Sequence, residues 1–287
     1  MLFSKRYWRF YTAISDSVVE AFRFDNVVIN SLIRLIFFPF VLHFAAKLYD
    51  MEIQLEADGH LQTVSRTLIE PYTQDIRIHH AERVPTSGPV LFVANHAGIG
   101  DSISVYMASP RKDIYTLIYN QGMLTKFQEF LRYAIVVDKE NPMLSLRSTI
   151  RHLNAGQAVL LFPRGHVEDD PALYVDSALE TLSEWSTSIE FLARKVPELQ
   201  VVPVAVGGMI SRKAMANPIV QRYKSRDYQH FLAGTFQMVT PFYKDPILSI
   251  FYGEPLIGES ATLSNVQAQM RQLLQQIYDE QCALHDR

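Results

Sequence analysis

The chain has 287 residues, 48% of them hydrophobic and 20% charged, with a formal net charge of −3 at pH 7. This length allows one large α/β domain with an appendage, or two domains. Because the balance of charge is not basic, the composition argues against a nucleic-acid-binding protein. The single cysteine excludes an intrachain disulfide and fits a reducing compartment.

The most apolar segment, residues 27–46, is long enough to form a helix that spans a bilayer. On such a helix Asn30, Ser31 and Arg34 form one narrow polar stripe, and Pro39 is expected to kink the axis. The helix would either span the bilayer or lie in its interface with Arg34 directed at lipid phosphates. It would otherwise be a core helix with Arg34 reaching into solvent. The flanking aromatic residues favour membrane association, with interfacial or kinked insertion rather than a clean span.

The next segment, residues 47–75, is more polar and predicts a further helix that is broken at Asp58-Gly59 and ends at Glu70-Pro71. From residue 76 short apolar runs alternate with amphipathic ones. Strands are predicted at 76–80, 90–95, 113–119, 134–138, 158–162 and 200–206, and helices around 103–109, 122–132, 142–154, 176–195 and 262–284.

This alternation predicts an α/β fold with a mostly parallel central sheet and helices on both faces. We therefore divide the chain into an N-terminal helical, membrane-associating region, residues 1–75, and an α/β domain, residues 76–287. In such sheets ligands bind where strands end and loops begin.

A candidate catalytic pair follows the second predicted strand, which ends in Asn95-His96. Two glycines, Gly98 and Gly100, precede Asp101, so a tight loop can fold Asp101 back onto the imidazole near the start of the next helix. A carboxylate on one ring nitrogen leaves the other free to take a proton. Since no serine lies nearby, the pair suits activation of a substrate hydroxyl that attacks an acyl group. An ordinary strand-end pair is the alternative.

With these residues in place, the sequence resembles the glycerophospholipid acyltransferases, which include the lysophosphatidic acid acyltransferases. The resemblance covers roughly residues 76–256 and rests on four motifs in order: Asn95, His96 and Asp101; a strand running into Lys139; Phe162, Pro163, Arg164, Gly165, His166 and Val167; and the strand around Pro203. It implies an α/β fold, a fatty acyl donor on CoA or acyl carrier protein, and a membrane site facing the cytoplasm. It also implies a histidine base oriented by the aspartate, with no metal.

The second and third motifs depart from the family pattern. Lys139 stands where the family has arginine and loses the bidentate fork. Arg164 replaces a glutamate, and His166-Val167 replaces Thr-Arg. The resemblance therefore supports acyl transfer by His96 and Asp101 well, but it supports a glycerol-phosphate acceptor poorly. The residues expected to bind substrate are Asn95, Gly98, Lys139, Phe162, Pro163, Arg164, Gly165 and His166.

Several charged segments leave alternatives open. Arg164 is either an anion clamp on a headgroup phosphate or on the donor, or a solvated loop arginine. Residues 168–170 are expected to form a solvated acidic loop rather than a metal site. The basic stretch 210–226 is either a solvated helix face or a contact for anionic lipid or CoA phosphates.

The sequence thus predicts an enzyme, a membrane-associated O-acyltransferase on the cytoplasmic face. It would move a fatty acyl group from acyl-CoA or acyl carrier protein, as co-substrate, to a hydroxyl of a lysophospholipid or related lipid. No cofactor is expected, and the partners would be the acyl donor, the lipid acceptor and a membrane surface. Amides of the Gly98–Gly100 loop, or Arg164, would stabilise the oxyanion. The alternatives are a non-catalytic lipid-binding or scaffolding protein and an acyl-thioester hydrolase.

Overall fold

The computed structural model describes residues 4–59, 61–98, 100–119, 126–138 and 140–285. Its N-terminal part consists of three helices: α1 (Lys5–Phe22), α2 (Val27–Asp58) and α3 (Leu61–Ile69). Helix α2 starts at Asn26, whose side-chain oxygen accepts from the amides of the second and third residues after it. It runs through Pro39 and ends at Gly59, whose φ of 63° suits glycine. The predicted break at Asp58-Gly59 is therefore confirmed.

The remaining chain alternates strands with helices. The strands are β1 (Asp75–His79), β2 (Val90–Ala94), β3 (Ile114–Tyr119), β4 (Ala134–Val137), β5 (Ala158–Leu161), β6 (Gln200–Gly207), β7 (Ile247–Tyr252) and β8 (Leu256–Ile257). The helices are α4 (Asp101–Ala108), α5 (Pro142–Asn154), α6 (Val175–Thr181), α7 (Ser188–Lys195), α8 (Arg212–Met215), α9 (Pro218–Gln221), α10 (Arg226–Val239) and α11 (Leu263–His285).

The strands form one sheet in the order β1-β7-β6-β2-β5-β3-β4, with β8 beside β6. The five strands from β6 to β4 are parallel, whereas β7 pairs antiparallel with β6 and parallel with β1. Side chains of β2 alternate between two hydrophobic clusters: Phe92 packs with α1–α4 and α10, and Leu91 and Val93 pack with α5–α7 and α11. The predicted fold class, a mostly parallel sheet with helices on both faces, is confirmed.

In the predicted polar stripe of α2, Arg34 is partly exposed and pairs with α1. The Arg34 guanidinium donates to Ser15 Oγ at 2.7 Å and to Asp16 Oδ1 at 2.8 Å, both on α1. These partners on α1 were not predicted from the sequence. Since the Arg34 side chain is 43% exposed, its contact with lipid phosphates or with solvent stays a prediction.

Two predicted helices differ in the structure. Residues 176–195 form α6 and α7, separated by a short 3-10 helix at Leu182–Glu184, because the chain turns there to bury Trp185. Residues 122–125 of the helix predicted at 122–132 lie outside the described part, and a 3-10 helix at Phe130–Tyr133 covers its last residues. The long helix α10 was not predicted from the sequence.

Candidate active site

The centre of the site is a histidine held by an aspartate at the carboxyl end of β2. His96 Nδ1 lies 2.6 Å from Asp101 Oδ2. Asp101 is the first residue of α4, and its other oxygen accepts from the Ser102 amide at 2.6 Å, where the helix dipole favours a negative charge. The Asp101 side chain is 2% exposed and that of His96 is 26% exposed. This geometry fixes one ring nitrogen and leaves Nε2 for a substrate proton.

The surroundings of His96 change its basicity. Burial by itself would lower the pKa of the imidazole, because it disfavours the charged form. The carboxylate of Asp101 opposes this through charge and hydrogen bonding, with a smaller contribution from Glu168, and the pKa of His96 is raised above its usual value. The pair is thus arranged to stabilise the imidazolium that forms when His96 accepts a proton.

The turn after β5 covers the imidazole. The Phe162 ring stacks on that of His96, with centroids 4.6 Å apart and planes 24° apart. The Gly165 amide donates to the Phe162 carbonyl at 3.0 Å, and Gly165 has a φ of 73°, which side chains other than glycine rarely adopt. Pro163 is buried, and its carbonyl accepts from the Ser186 amide. The Pro-x-Gly frame therefore places an aromatic ring against the base.

A buried carboxylate in the same loop holds the backbone of His96. Glu168 Oε2 accepts from the His96 amide at 2.7 Å, and the Glu168 amide donates to the His96 carbonyl at 2.7 Å. Its other oxygen accepts from Thr181 Oγ1 and Trp185 Nε1, each at 2.9 Å. Burial raises the pKa of this carboxyl, an effect that these hydrogen bonds oppose. Glu168 is 2% exposed, so its assignment to a solvated loop was wrong.

Asp170 is a second correction to the predicted acidic loop, since it is fully buried. Its carboxylate accepts from four backbone amides, those of Ala172 and of Gly208, Met209 and Ile210 after β6. Such backbone donors can replace the hydration of a buried carboxylate. Asp170 thereby joins the loop after β5 to the loop after β6, beside the catalytic pair.

An apolar cavity of about 290 Å³ adjoins the pair. Gly98, Gly100 and Val167 line it on the side of the His96 loops. The rest of its wall comes mainly from apolar residues of α2, α3 and α10, including Phe44, Leu48, Met51, Leu55, Val64, Leu68, Phe231 and Met238. A hydrocarbon chain is the ligand that such a wall solvates best.

Comparisons with known proteins give one family match and a similar solved structure. The sequence-family model described as Acyltransferase matches residues 75–207. These residues form an acyltransferase-family domain. No functionally curated protein matches the sequence. Among solved structures, the chain is similar to the 1-acyl-sn-glycerophosphate (LPA) acyltransferase PlsC from Thermotoga maritima, with 12% identity, a TM-score of 0.41, and coverage of 98% of this chain and 94% of that chain.

The remaining residues predicted to bind substrate in the acyltransferase domain have varied surroundings. Asn95 is buried and exchanges two 2.8 Å hydrogen bonds with the Val206 backbone, which joins β2 to β6. Arg164 donates through Nε to Glu184 at 2.9 Å and through Nη1 to the Val167 carbonyl at 2.7 Å. His166 is exposed.

The prediction for Lys139 in the second motif lies outside the described residues. Glu168 and Asp170 were missed as structural anchors of the site, because three successive acidic residues in a sequence are typical of a solvated loop. One signal could have identified them. They lie in the loop after a buried strand, at the edge of the sheet where the functional groups of an α/β domain converge.

Proposed function

We propose that this protein is a membrane-associated O-acyltransferase. It moves a fatty acyl group from acyl-CoA or acyl carrier protein to a hydroxyl of a lysophospholipid or related lipid, without a resident cofactor. The observation that carries the proposal is the Asp101-held His96 beside a cavity suited to a hydrocarbon chain. A base and an apolar chain site side by side are what acyl transfer to a lipid hydroxyl requires.

In the proposed reaction, the oxygen of the acceptor hydroxyl attacks the thioester carbonyl while His96 Nε2 takes the hydroxyl proton. Asp101 stabilises the imidazolium. The tetrahedral intermediate then collapses, the carbon–sulfur bond breaks, and His96 returns the proton to the thiolate. Of the oxyanion donors predicted from the sequence, the Gly98 amide contacts Asp101 at 3.4 Å and Arg164 is bonded elsewhere. We therefore favour the Gly98–Gly100 loop over Arg164 as the source of the oxyanion donor.

The test offers purified protein both donor types with a panel of lysophospholipids and neutral lipid alcohols, and products are identified by mass spectrometry. Acylated acceptor that forms with wild type and not with His96→Ala supports the proposal. Release of free fatty acid without any acceptor would instead favour the thioester hydrolase. No product from any pair, together with unchanged lipid binding by His96→Ala, would favour the lipid-binding protein.

The cavity leads to a prediction about acyl chain length. Ser65 of α3 is buried and lines the cavity, so Ser65→Leu should exclude the last carbons of a long chain. Each methylene that no longer fits costs about 0.8 kcal/mol, or about fourfold in kcat/KM. The measurement is kcat/KM against donor chain length. Thr67→Leu, on the exposed side of the same helix, is the control. An unchanged length profile in Ser65→Leu would contradict the assignment of the cavity.

Membrane association is supported by the exposed surface of α2. This helix is the one described segment long and apolar enough to cross a membrane, with a mean hydropathy of 2.0 over 18 residues and only 17% of that window buried. Its opposite side packs on the domain through Phe44, Ala45 and Leu48. We propose that the helix lies on the cytoplasmic face of a membrane with its exposed apolar side in the lipid. The exposed side consists of Val27, Val28, Leu32, Leu35, Ile36 and Phe38.

A charge on this side should weaken vesicle binding. Leu35 is 72% exposed, so Leu35→Glu should fold normally. Since burial of a leucine side chain contributes about 1.5–3 kcal/mol, the partition coefficient onto phospholipid vesicles should fall by about tenfold to a hundredfold. Leu144→Glu, at an exposed apolar position of α5, should leave it unchanged. Equal binding of both variants in a vesicle co-sedimentation assay would contradict the proposal.

The contacts of Arg164 favour a brace of the loop over an anion clamp, because two of its guanidinium nitrogens bond to protein. We therefore expect Arg164→Gln and Glu184→Gln to lower kcat/KM by similar factors, about fivefold or less, as is usual for a partly exposed ion pair. The factors should be equal for phosphate-bearing and neutral acceptors. A rise in KM confined to Arg164→Gln and to phosphate-bearing acceptors would assign the clamp instead.

A further inference from the structure

Among the polar residues that line the cavity, one has a buried atom without a hydrogen-bond partner in the part of the chain that the structure describes. His230 of α10 lines the cavity and is 3% exposed. Its Nε2 has no hydrogen-bond partner among the residues that the structure describes. Buried polar atoms of native proteins almost always have a partner, and an orphan costs free energy. An unpartnered histidine nitrogen in a mainly apolar wall therefore indicates a hydrogen bond to an atom of the ligand.

The other side of the ring shows which kind of ligand atom Nε2 can bond to. His230 Nδ1 faces Asp169 Oδ1 at 3.5 Å. The second oxygen of Asp169 accepts from Ser177 Oγ at 2.5 Å and from Arg226 Nη1 at 3.0 Å, which holds the carboxylate in place. An N–H on Nδ1 directed at this carboxylate leaves Nε2 as a lone-pair acceptor. Burial lowers the pKa of His230, which favours this neutral form.

We propose that His230 Nε2 accepts a hydrogen bond from a hydroxyl group on the otherwise apolar molecule that occupies the cavity. A hydroxyl fits because it donates one hydrogen bond without carrying a charge into the apolar wall. The inference rests on the proposed function in one respect, that this cavity holds a lipid chain. The hydroxyl would belong either to the acyl chain of the donor or to the lipid acceptor.

Binding of free chains tests the inference without catalysis. Isothermal titration calorimetry would compare dodecanoic acid with a set of hydroxydodecanoic acids that differ in the position of the hydroxyl. It would also compare a monoacylglycerol with its deoxy analogue. For wild type we expect one hydroxylated ligand to bind about tenfold tighter than its plain counterpart. The pair that shows the preference identifies the source. Equal affinities within both pairs, as for a cavity that holds only water beside His230, would overturn the inference.

Variants separate recognition from a structural role. His230→Phe should abolish the preference and, by removing an orphan nitrogen, keep or raise Tm. His230→Gln, which retains an acceptor, should keep part of the preference. Met238→Leu changes the same wall without a polar group and is the control. A preference that persists in His230→Phe would also overturn the inference.

Failure of the proposed function is distinguishable from failure of this inference. No acyl transfer by wild type, together with an intact hydroxyl preference in binding, would remove the proposed function and leave the role of His230 standing. Acyl transfer with no hydroxyl preference in any pair would leave the proposed function and remove the role of His230.

Discussion

Asp101→Asn is expected to lower kcat/KM by about 10³–10⁴-fold while the protein stays folded. The amide is isosteric, but it no longer supplies the charge that stabilises the imidazolium, and it can hold the wrong tautomer of His96. Asp101 also lies 2.6 Å from the Ser102 amide, a contact that the asparagine oxygen can keep. The measurement is the rate of acyl transfer with the preferred pair of substrates, together with Tm.

The pH profile of this variant gives a second expectation with a definite sign. His96 acts as a base when it is neutral, so kcat/KM should rise as pH passes through its pKa. Because Asp101 raises that pKa against the effect of burial, the wild-type midpoint should lie above that of an ordinary histidine. In Asp101→Asn burial acts without the counter-charge, and the midpoint should move to lower pH. A midpoint that stays in place would contradict a direct electrostatic role of Asp101.

Glu168→Gln is expected to lower both stability and activity. The carboxylate accepts three hydrogen bonds and donates none, whereas an amide must turn its NH2 group towards at least one of these donors. The free energy of unfolding should fall by about 1.5–3 kcal/mol. If the His96 backbone shifts when its hydrogen bond to Glu168 is lost, kcat/KM should fall by about tenfold or more.

A readout beyond stability distinguishes positioning of the base from simple loss of structure. Glu168 contributes to the raised pKa of His96, so Glu168→Gln should move the midpoint of the pH profile to lower pH. Glu180→Gln, which removes an exposed carboxylate from nearby α6, should change neither Tm nor the midpoint. A destabilised Glu168→Gln protein with an unshifted midpoint would limit Glu168 to a structural role.

The sequence predicts the parts of this site that depend on local spacing. His96 and Asp101 are five residues apart at a strand-to-helix junction, so their contact follows from the turn between them. The glycine of the Pro-x-Gly frame likewise has a local cause, its positive φ. The alternation of apolar runs was enough to predict a parallel sheet covered on both faces, because the central strands β2, β5 and β6 are buried on both sides.

Contacts between distant segments could not be predicted in this way. Glu168 is bonded to His96, 72 residues earlier, and to Trp185, 17 residues later. A charge pattern does not reveal that these donors will surround it. The hydrogen bonds of Arg34 to α1 were missed for the same reason, because these partners become visible only when the two helices are packed. The cavity wall also required α10, a helix that was not predicted from the sequence.

The most direct test of His96 as the general base of acyl transfer compares wild type with His96→Gln. Both proteins, with matching Tm, would receive a labelled long-chain acyl thioester and a lysophospholipid in vesicles, and the initial rate of labelled product would be measured. If His96 is the base, wild type transfers the acyl group and His96→Gln does so about 10²–10⁴-fold more slowly, which is the usual contribution of a general base. Equal initial rates for the two proteins would contradict this role of His96.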